Sequence, residues 1–233
     1  MIDCHTHIGA AEHFTDAFAN DLRSAWGEVE WNGIDLDDHR RAVAGVERAV
    51  VLAFDAPACG FVVPDDYVAE YVAGDERLVG FCSVDPARPD AVARLDHAVG
   101  ELGLRGLKLG PIYQRFDPNG LEASRLFRRA EQLRTPVMIH QATTFIRDSP
   151  LEWARPILLD AVARSFPELR MCAAHLGHPW CDELMVTVRK HRHLYTDVSA
   201  LHTRPVQLYF ALQSAVEYRV TDRVLFGLSL IHI

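Results

Sequence analysis

The chain has no long hydrophobic run. No stretch of its 233 residues approaches the roughly 20 consecutive apolar residues of a membrane-spanning helix. No basic-then-apolar leader precedes its first strand pattern. It is also poor in positive charge: 24 Lys and Arg against 32 Asp and Glu give a net charge of −8. With no basic stripe in the sequence, neither nucleic acid nor an anionic membrane surface is expected as a partner. Its five cysteines are scattered, and no two form a Cys-x-x-Cys pair. That pattern argues against a disulfide framework or a cysteine zinc knuckle, so reduced thiols near the core are expected. No glycine-rich phosphate loop follows the first strand, and no short repeat or low-complexity segment is visible. With these features a cytoplasmic location is expected.

About half of the chain, 49%, is apolar, which is enough for one sizeable core in a single domain. Short apolar runs alternate with amphipathic segments. Strand patterns are read at Met1–Thr6, Arg48–Phe54, Leu78–Val84, Leu104–Leu109, Val137–His140, Leu169–Ala174, Leu194–Asp197 and from Val224. Helix patterns are read at Leu36–Val46 with Asp35 as cap, Pro64–Ala73, Asp90–Leu102, Leu121–Leu133, Leu151–Ser165, Trp180–Lys190 and Pro205–Tyr218. A run such as Ala49-Val50-Val51-Leu52-Ala53-Phe54 is continuously apolar, as expected of a strand buried on both faces. Eight such strands, separated by helices, predict a (β/α)₈ TIM-like barrel, with a doubly wound sheet as the alternative. Residues 8–34 form a long insertion after the first strand, in which Trp26 and Trp31 could make a lid or simply pack the insertion down.

In such a barrel the active site lies at the C-terminal ends of the strands, and the unusual polar residues fall there. His5 and His7 end the first strand, Lys108 the fourth, His140 the fifth, His175 the sixth and Asp197 the seventh. On an extended strand, residues i and i+2 share a face, so His5 and His7 present two imidazoles side by side. A catalytic zinc takes about three protein ligands and leaves a position for water; His5, His7 and His140 could supply the three. His175 is either a fourth ligand or a general acid/base, and the second role is favoured. Lys108 could pair with an acidic group of a substrate or be a solvated lysine. Asp197 could orient a histidine from behind or cap a turn. His178 could line the rim or cap the following helix. Of the twelve histidines, His13 and His202 lie in strand-end loops, and His39 and His97 are expected to face outward on helices.

These residues occur in motifs that resemble the amidohydrolase-related proteins, the branch with aminocarboxymuconate semialdehyde decarboxylase, resorcylate decarboxylases and lactone hydrolases. The motifs are Asp3-Cys4-His5-Thr6-His7-Ile8-Gly9, Gly106-Leu107-Lys108-Leu109, Val137-Met138-Ile139-His140, Ala174-His175-Leu176-Gly177-His178-Pro179-Trp180 and Tyr195-Thr196-Asp197-Val198-Ser199. The resemblance implies a distorted barrel holding one divalent metal, usually zinc, on His5, His7 and His140, with His175 as the catalytic histidine. Lys108 matches a lysine that bridges two metals in some amidohydrolases when carbamylated; in this branch it is usually unmodified, so one metal is expected. A homodimer is expected by the same analogy.

The eighth strand departs from the family pattern, which there continues from Phe-Gly into Ser-Asp and supplies a further ligand. Here Phe226-Gly227 is followed by Leu228-Ser229-Leu230-Ile231-His232-Ile233, which resembles a translated library adapter. Residues 1–227 are therefore expected to be the barrel domain and 228–233 a non-native tail. The barrel is expected to be incomplete at strand 8, without the last helix, and open at the edge of strand 1. The expected function is metal-dependent hydrolysis of a small organic carboxylate, lactone or amide. Nonoxidative decarboxylation is the alternative within the family, and an inactive metal- or ligand-binding fragment is the alternative of another class.

Overall fold

In the computed structural model, which describes residues 1–27 and 31–229, the apolar runs form eight parallel strands in sequential order. They are β1 (Ile2–His7), β2 (Arg48–Leu52), β3 (Leu78–Ser83), β4 (Leu107–Leu109), β5 (Val137–Ile139), β6 (Met171–Ala173), β7 (Leu194–Asp197) and β8 (Val224–Leu225). Parallel neighbours need crossovers, and helices supply them. Among these are α1 (Asp16–Trp26), α2 (Leu36–Ala42), α3 (Asp65–Ala73), α4 (Ala91–Gly100), α5 (Pro111–Gln114), α6 (Leu121–Leu133), α7 (Leu159–Ser165), α8 (Cys181–Lys190) and α9 (Pro205–Glu217). Ala123, Leu126, Phe127 and Ala130 of α6 recur at helical spacing and are all buried, so that face is the one laid on the sheet. The architecture is the expected α/β TIM barrel. Among the described residues, no helix is long and apolar enough to cross a membrane.

Strand 1 does not lie open. The Cys4 amide donates to the Phe226 carbonyl at 2.9 Å, and the Ser229 amide donates to the His5 carbonyl at 2.7 Å. The Leu228 amide donates to Asp3 Oδ1 at 3.2 Å. The edge expected to be bare is thus bonded to the segment after β8. Leu228 and Ser229, two residues of the expected tail, make part of that closure; 230–233 lie outside the described residues. Gly227 permits the approach, because a Cβ there would stand 2.9 Å from the Cβ of His5.

Several boundaries differ from the sequence expectation for identifiable reasons. The helix expected over Leu151–Ser165 is broken by Pro156 into short 3₁₀ turns, and only Leu159–Ser165 is α-helical, since proline removes a donor and crowds the preceding turn. Asp35 does cap α2, accepting from the amides of Asp37 and Asp38. His39 on that helix faces inward, contrary to expectation. It is buried, 2.8 Å from the Tyr71 hydroxyl and 2.8 Å from the Thr6 hydroxyl. The apolar pattern of α2 carries no sign of this, because the partners come from β1 and α3.

Candidate metal and active site

β1 aims its histidines with a bulge. Asp3 pairs with Ala49 and Thr6 with Val51, so Cys4 and His5 together oppose the single residue Val50. Such bulges re-aim side chains and recur beside active sites. Here the bulge turns Cys4 into the lower barrel and lets His5 and His7 both reach the mouth. Their Nε2 atoms are 3.1 Å apart.

β6 ends in strained backbone. His175 has φ 63° and Leu176 φ 50°, the left-handed region that costs non-glycine residues of order 1–2 kcal/mol. The surrounding bonds hold it there. The His175 amide donates to Asp197 Oδ1 at 3.1 Å, and its Nδ1 lies 3.1 Å from the Ser199 carbonyl and 2.7 Å from the Ser199 hydroxyl. Asp197 also accepts from the Ser199 amide at 3.0 Å, from the Ser199 hydroxyl, and from His5 Nδ1 at 3.0 Å. Burial works against its charge, but His5, His175 and the Ser199 hydroxyl outweigh that and hold the carboxyl far below the usual range.

These partners fix the tautomers. A carboxylate and a carbonyl can only accept, so His5 and His175 carry their protons on Nδ1. The Nε2 of His140 faces the Thr143 carbonyl at 3.1 Å, so its proton is on Nε2. The lone pairs left over are His5 Nε2, His175 Nε2 and His140 Nδ1. The last two point at each other across 3.1 Å, a repulsion that is relieved when His140 Nδ1 binds a cation or when a proton sits on His175 Nε2. Burial disfavours the proton, pushing His140 down to about 3 and His175 well below its ordinary value. His5 is lowered too, by burial and then by Lys108. The donors are neutral, converging imidazoles backed by hydrogen bonds, which is the chemistry a borderline divalent ion takes. Donor atoms of His5, His175 and Asp197 also lie within 4.8 Å of one another. The arrangement fits a metal ion: among the described residues His5, His175 and Asp197 form the one such group of three, and His7 and His140 each stand 3.1 Å from one of its histidines, so these side chains could hold the ion, whereas the expected trio His5, His7 and His140 is not itself gathered within that distance.

Lys108 is buried, with Nζ 3.5 Å from His5 Nε2 and 5.8 Å above the Phe54 ring. Burial lowers its pKa to about 8, so at pH 7 it is still mostly charged. It is no solvated lysine.

The mouth holds two adjoining chambers. The inner one, of about 40 Å³, lies among His5, His7, Lys108, His140, His175 and Ser229 under the rings of Phe18, Phe54, Phe61, Tyr113 and Phe145. It shares Tyr113, His140, Phe145 and His175 with an outer chamber of about 250 Å³, which Trp26, Thr143, His178 and Arg204 also line. Trp26 therefore reaches the outer chamber, while Trp31 packs edge-on against Phe14 at 5.0 Å. His178 lines the outer chamber, one of the two places expected for it. His13 packs edge-on against Tyr67 and His202 is exposed; neither lines a chamber.

Sequence reasoning brought together His5, His7, Lys108, His140, His175 and Asp197, and all six meet here. It missed Ser199, although the Asp197-Val198-Ser199 spacing carried a signal: a hydroxyl two residues after a strand-end aspartate can turn back on it. It also missed the aromatic roof and Arg204, which come from segments far apart in the chain: Phe18 on α1, Phe54 and Phe61 on a short antiparallel pair after β2, Tyr113 on α5, and Phe145 and Arg204 in connections.

Comparison with solved structures gives the same barrel. An uncharacterized TIM-barrel protein from Bordetella bronchiseptica is similar at 18% identity, with TM-score 0.76, over 99% of this chain and 86% of that one. A protein described as a probable 2-pyrone-4,6-dicarboxylic acid hydrolase from Acinetobacter baumannii, with citric acid bound, is similar at 12% identity and TM-score 0.71, over 99% and 84%. The 5-carboxyvanillate decarboxylase of Sphingomonas paucimobilis is similar at 15% identity and TM-score 0.70, over 100% and 89%. The sequence profile described as Amidohydrolase matches residues 2–229, nearly the whole chain, and the protein therefore belongs to the amidohydrolase family.

Proposed function

We propose that this chain is a metal-dependent hydrolase of a small organic carboxylate, lactone or amide, with a single Zn²⁺ held by His5, His7 and His140. The observation that carries this reading is the set of hydrogen-bonded, neutral imidazoles whose remaining lone pairs converge beside Lys108. When bound there, such an ion polarises a carbonyl oxygen and lowers the pKa of water. The chain's own groups do the rest. His175 Nε2 takes a proton from the attacking water and returns it to the leaving group. Its Nδ1–H stays bonded to Ser199, and the nearby Asp197 carboxylate, which accepts from the His175 amide, favours the imidazolium that forms. The Lys108 ammonium attracts an anionic substrate oxygen. The inner chamber has room for little more than one or two waters, so the substrate body lies in the outer chamber, where Arg204 and His178 meet its polar end.

Nonoxidative decarboxylation is the second reading. It is favoured by the roof of Phe18, Phe54, Phe61, Tyr113 and Phe145, which suits a flat ring, and by the presence of a decarboxylase among the proteins of similar fold. In that case His175 delivers a proton to the ring carbon that loses CO₂. Zinc-loaded protein is to be assayed against 2-pyrone-4,6-dicarboxylate and aryl lactones, and separately against 5-carboxyvanillate and dihydroxybenzoates. Ring opening without CO₂ is the expected result. CO₂ release selects the second reading, and no turnover of any member at full metal occupancy overturns both in favour of a non-catalytic binding protein.

A further inference from the structure

The opposite end of the barrel holds a second cavity. In a (β/α)₈ barrel the inward side chains normally fill the interior. Here a space of about 310 Å³ remains at the N-terminal end of the strands, walled by Cys4, Val50, Phe81, Met138, Cys172 and Tyr195. All but Met138 of these are partly exposed, so the cavity opens to solvent. The wall is apolar, and one charged side chain lines it: Arg170, the exposed residue just before β6.

The charge around this opening is unusual for a chain of net charge −8. Arg105, Arg134 and Arg170 stand just before the adjacent strands β4, β5 and β6, and among the described residues none has a carboxylate partner. Arg77 and Arg192, by contrast, are paired with Asp75 and Glu168. The Arg170 side chain bonds only the Arg134 carbonyl, at 3.2 Å, and most of its five donors are left over. The cavity is distinct from the metal site and shares no lining residue with either upper chamber.

We propose that this cavity binds a small amphipathic monoanion, an aliphatic carboxylate whose chain enters the barrel floor while its head meets Arg170. An apolar pocket with one convergent polar group is the usual form of a small-molecule site, and the guanidinium fork is suited to a carboxylate. The floor of the cavity abuts the metal site: Cys172 Sγ lies 3.9 Å from Asp197 Oδ2, the same oxygen that accepts from His5 Nδ1. A bound chain would therefore press on the support of the histidines without entering the mouth. The inference does not depend on which reaction the mouth performs.

The test is calorimetric titration of the full chain with octanoate and with its neutral analogue octanamide. Wild type is expected to bind octanoate at least about tenfold more tightly than octanamide. Arg170→Gln, an exposed change, is expected to remove that preference, and Val50→Phe to abolish binding of both by filling the cavity. Thiol labelling of the wild type with methyl methanethiosulfonate gives a readout that needs no variant: octanoate is expected to protect Cys4 and Cys172 but not Cys181. No octanoate binding, unchanged affinity in Arg170→Gln, or labelling of Cys4 and Cys172 unaffected by octanoate would each overturn the proposal.

Discussion

At the C-terminal end of the barrel, His5, His140 and His175 each have one ring nitrogen bonded to a protein oxygen and the other turned inward. At the N-terminal end, the same strands present Cys4, Met138 and Cys172, joined by Val50, Phe81 and Tyr195 of their neighbours, to an open apolar space. The upper end is dense with polar groups that fix one another's orientation. The lower end has few, and leaves room instead. The bulge at Cys4 and His5 is where the two regions separate, sending one side chain down and the next up. The contrast indicates that stability and chemistry are partitioned along the barrel axis. Removing a polar group from the mouth should impair function far more than stability, and the reverse should hold for the layer under the helices.

The largest effect is expected at His175. His175→Asn should lower turnover by about 10²- to 10⁴-fold, the usual contribution of a positioned acid/base. Bound metal measured in the same sample should be largely retained; complete metal loss would make His175 a ligand instead. Next is Asp197→Asn, which takes away the carboxylate on which His5, His175 and Ser199 converge. Metal affinity by competition with a chelator should fall about 10- to 100-fold, as for other supports behind ligands.

How much of the molecule is legible in the chain follows from the range of the interactions. Strand ends and their polar residues are local features, so the placement of His5, His7, Lys108, His140, His175 and Asp197 at one mouth follows from the order of residues alone. The β1 bulge does not, because it depends on register against β2. Nor does the inward turn of His39, whose two partners lie 32 and 33 residues away. The aromatic roof joins Phe18 of α1, Phe54 and Phe61 of a short antiparallel pair after β2, and Phe145 of the connection after β5, with Phe54 and Phe61 stacked at 4.8 Å. Closure by Leu228 and Ser229 runs against the expectation of an open edge, because backbone amides bond whatever their side chains are.

His39 gives the next largest effect, and it concerns stability. Burial pushes its pKa down to about 4, against about 6.5 in an unfolded chain. Below pH 6.5 the unfolded state binds a proton that the folded state refuses. The stability due to this group is thus full above pH 6.5 and lost as pH falls toward 4, on the order of 3 kcal/mol in all. Urea unfolding from pH 7 to pH 4 should show a shallower loss in His39→Gln than in wild type. Parallel curves would contradict the inward, neutral histidine.

The smallest effects compare neighbours on one strand. Val51 is fully buried, and Val50 lines the lower cavity. Val51→Ala should cost about 2–3 kcal/mol and Val50→Ala about 1 kcal/mol, since truncation in a filled layer adds a cavity term that an already open one lacks. Equal losses in thermal or urea unfolding would mean that the lower barrel is packed in solution.

The central claim is that the converging imidazoles form a metal seat. Its most direct test is zinc content by mass spectrometry after loading and exhaustive dialysis, in wild type and in the double variant His5→Ala/His7→Ala. The account predicts close to one zinc per wild-type chain and almost none in the folded variant. Wild type that retains no zinc, or a variant that retains as much as wild type, would contradict it.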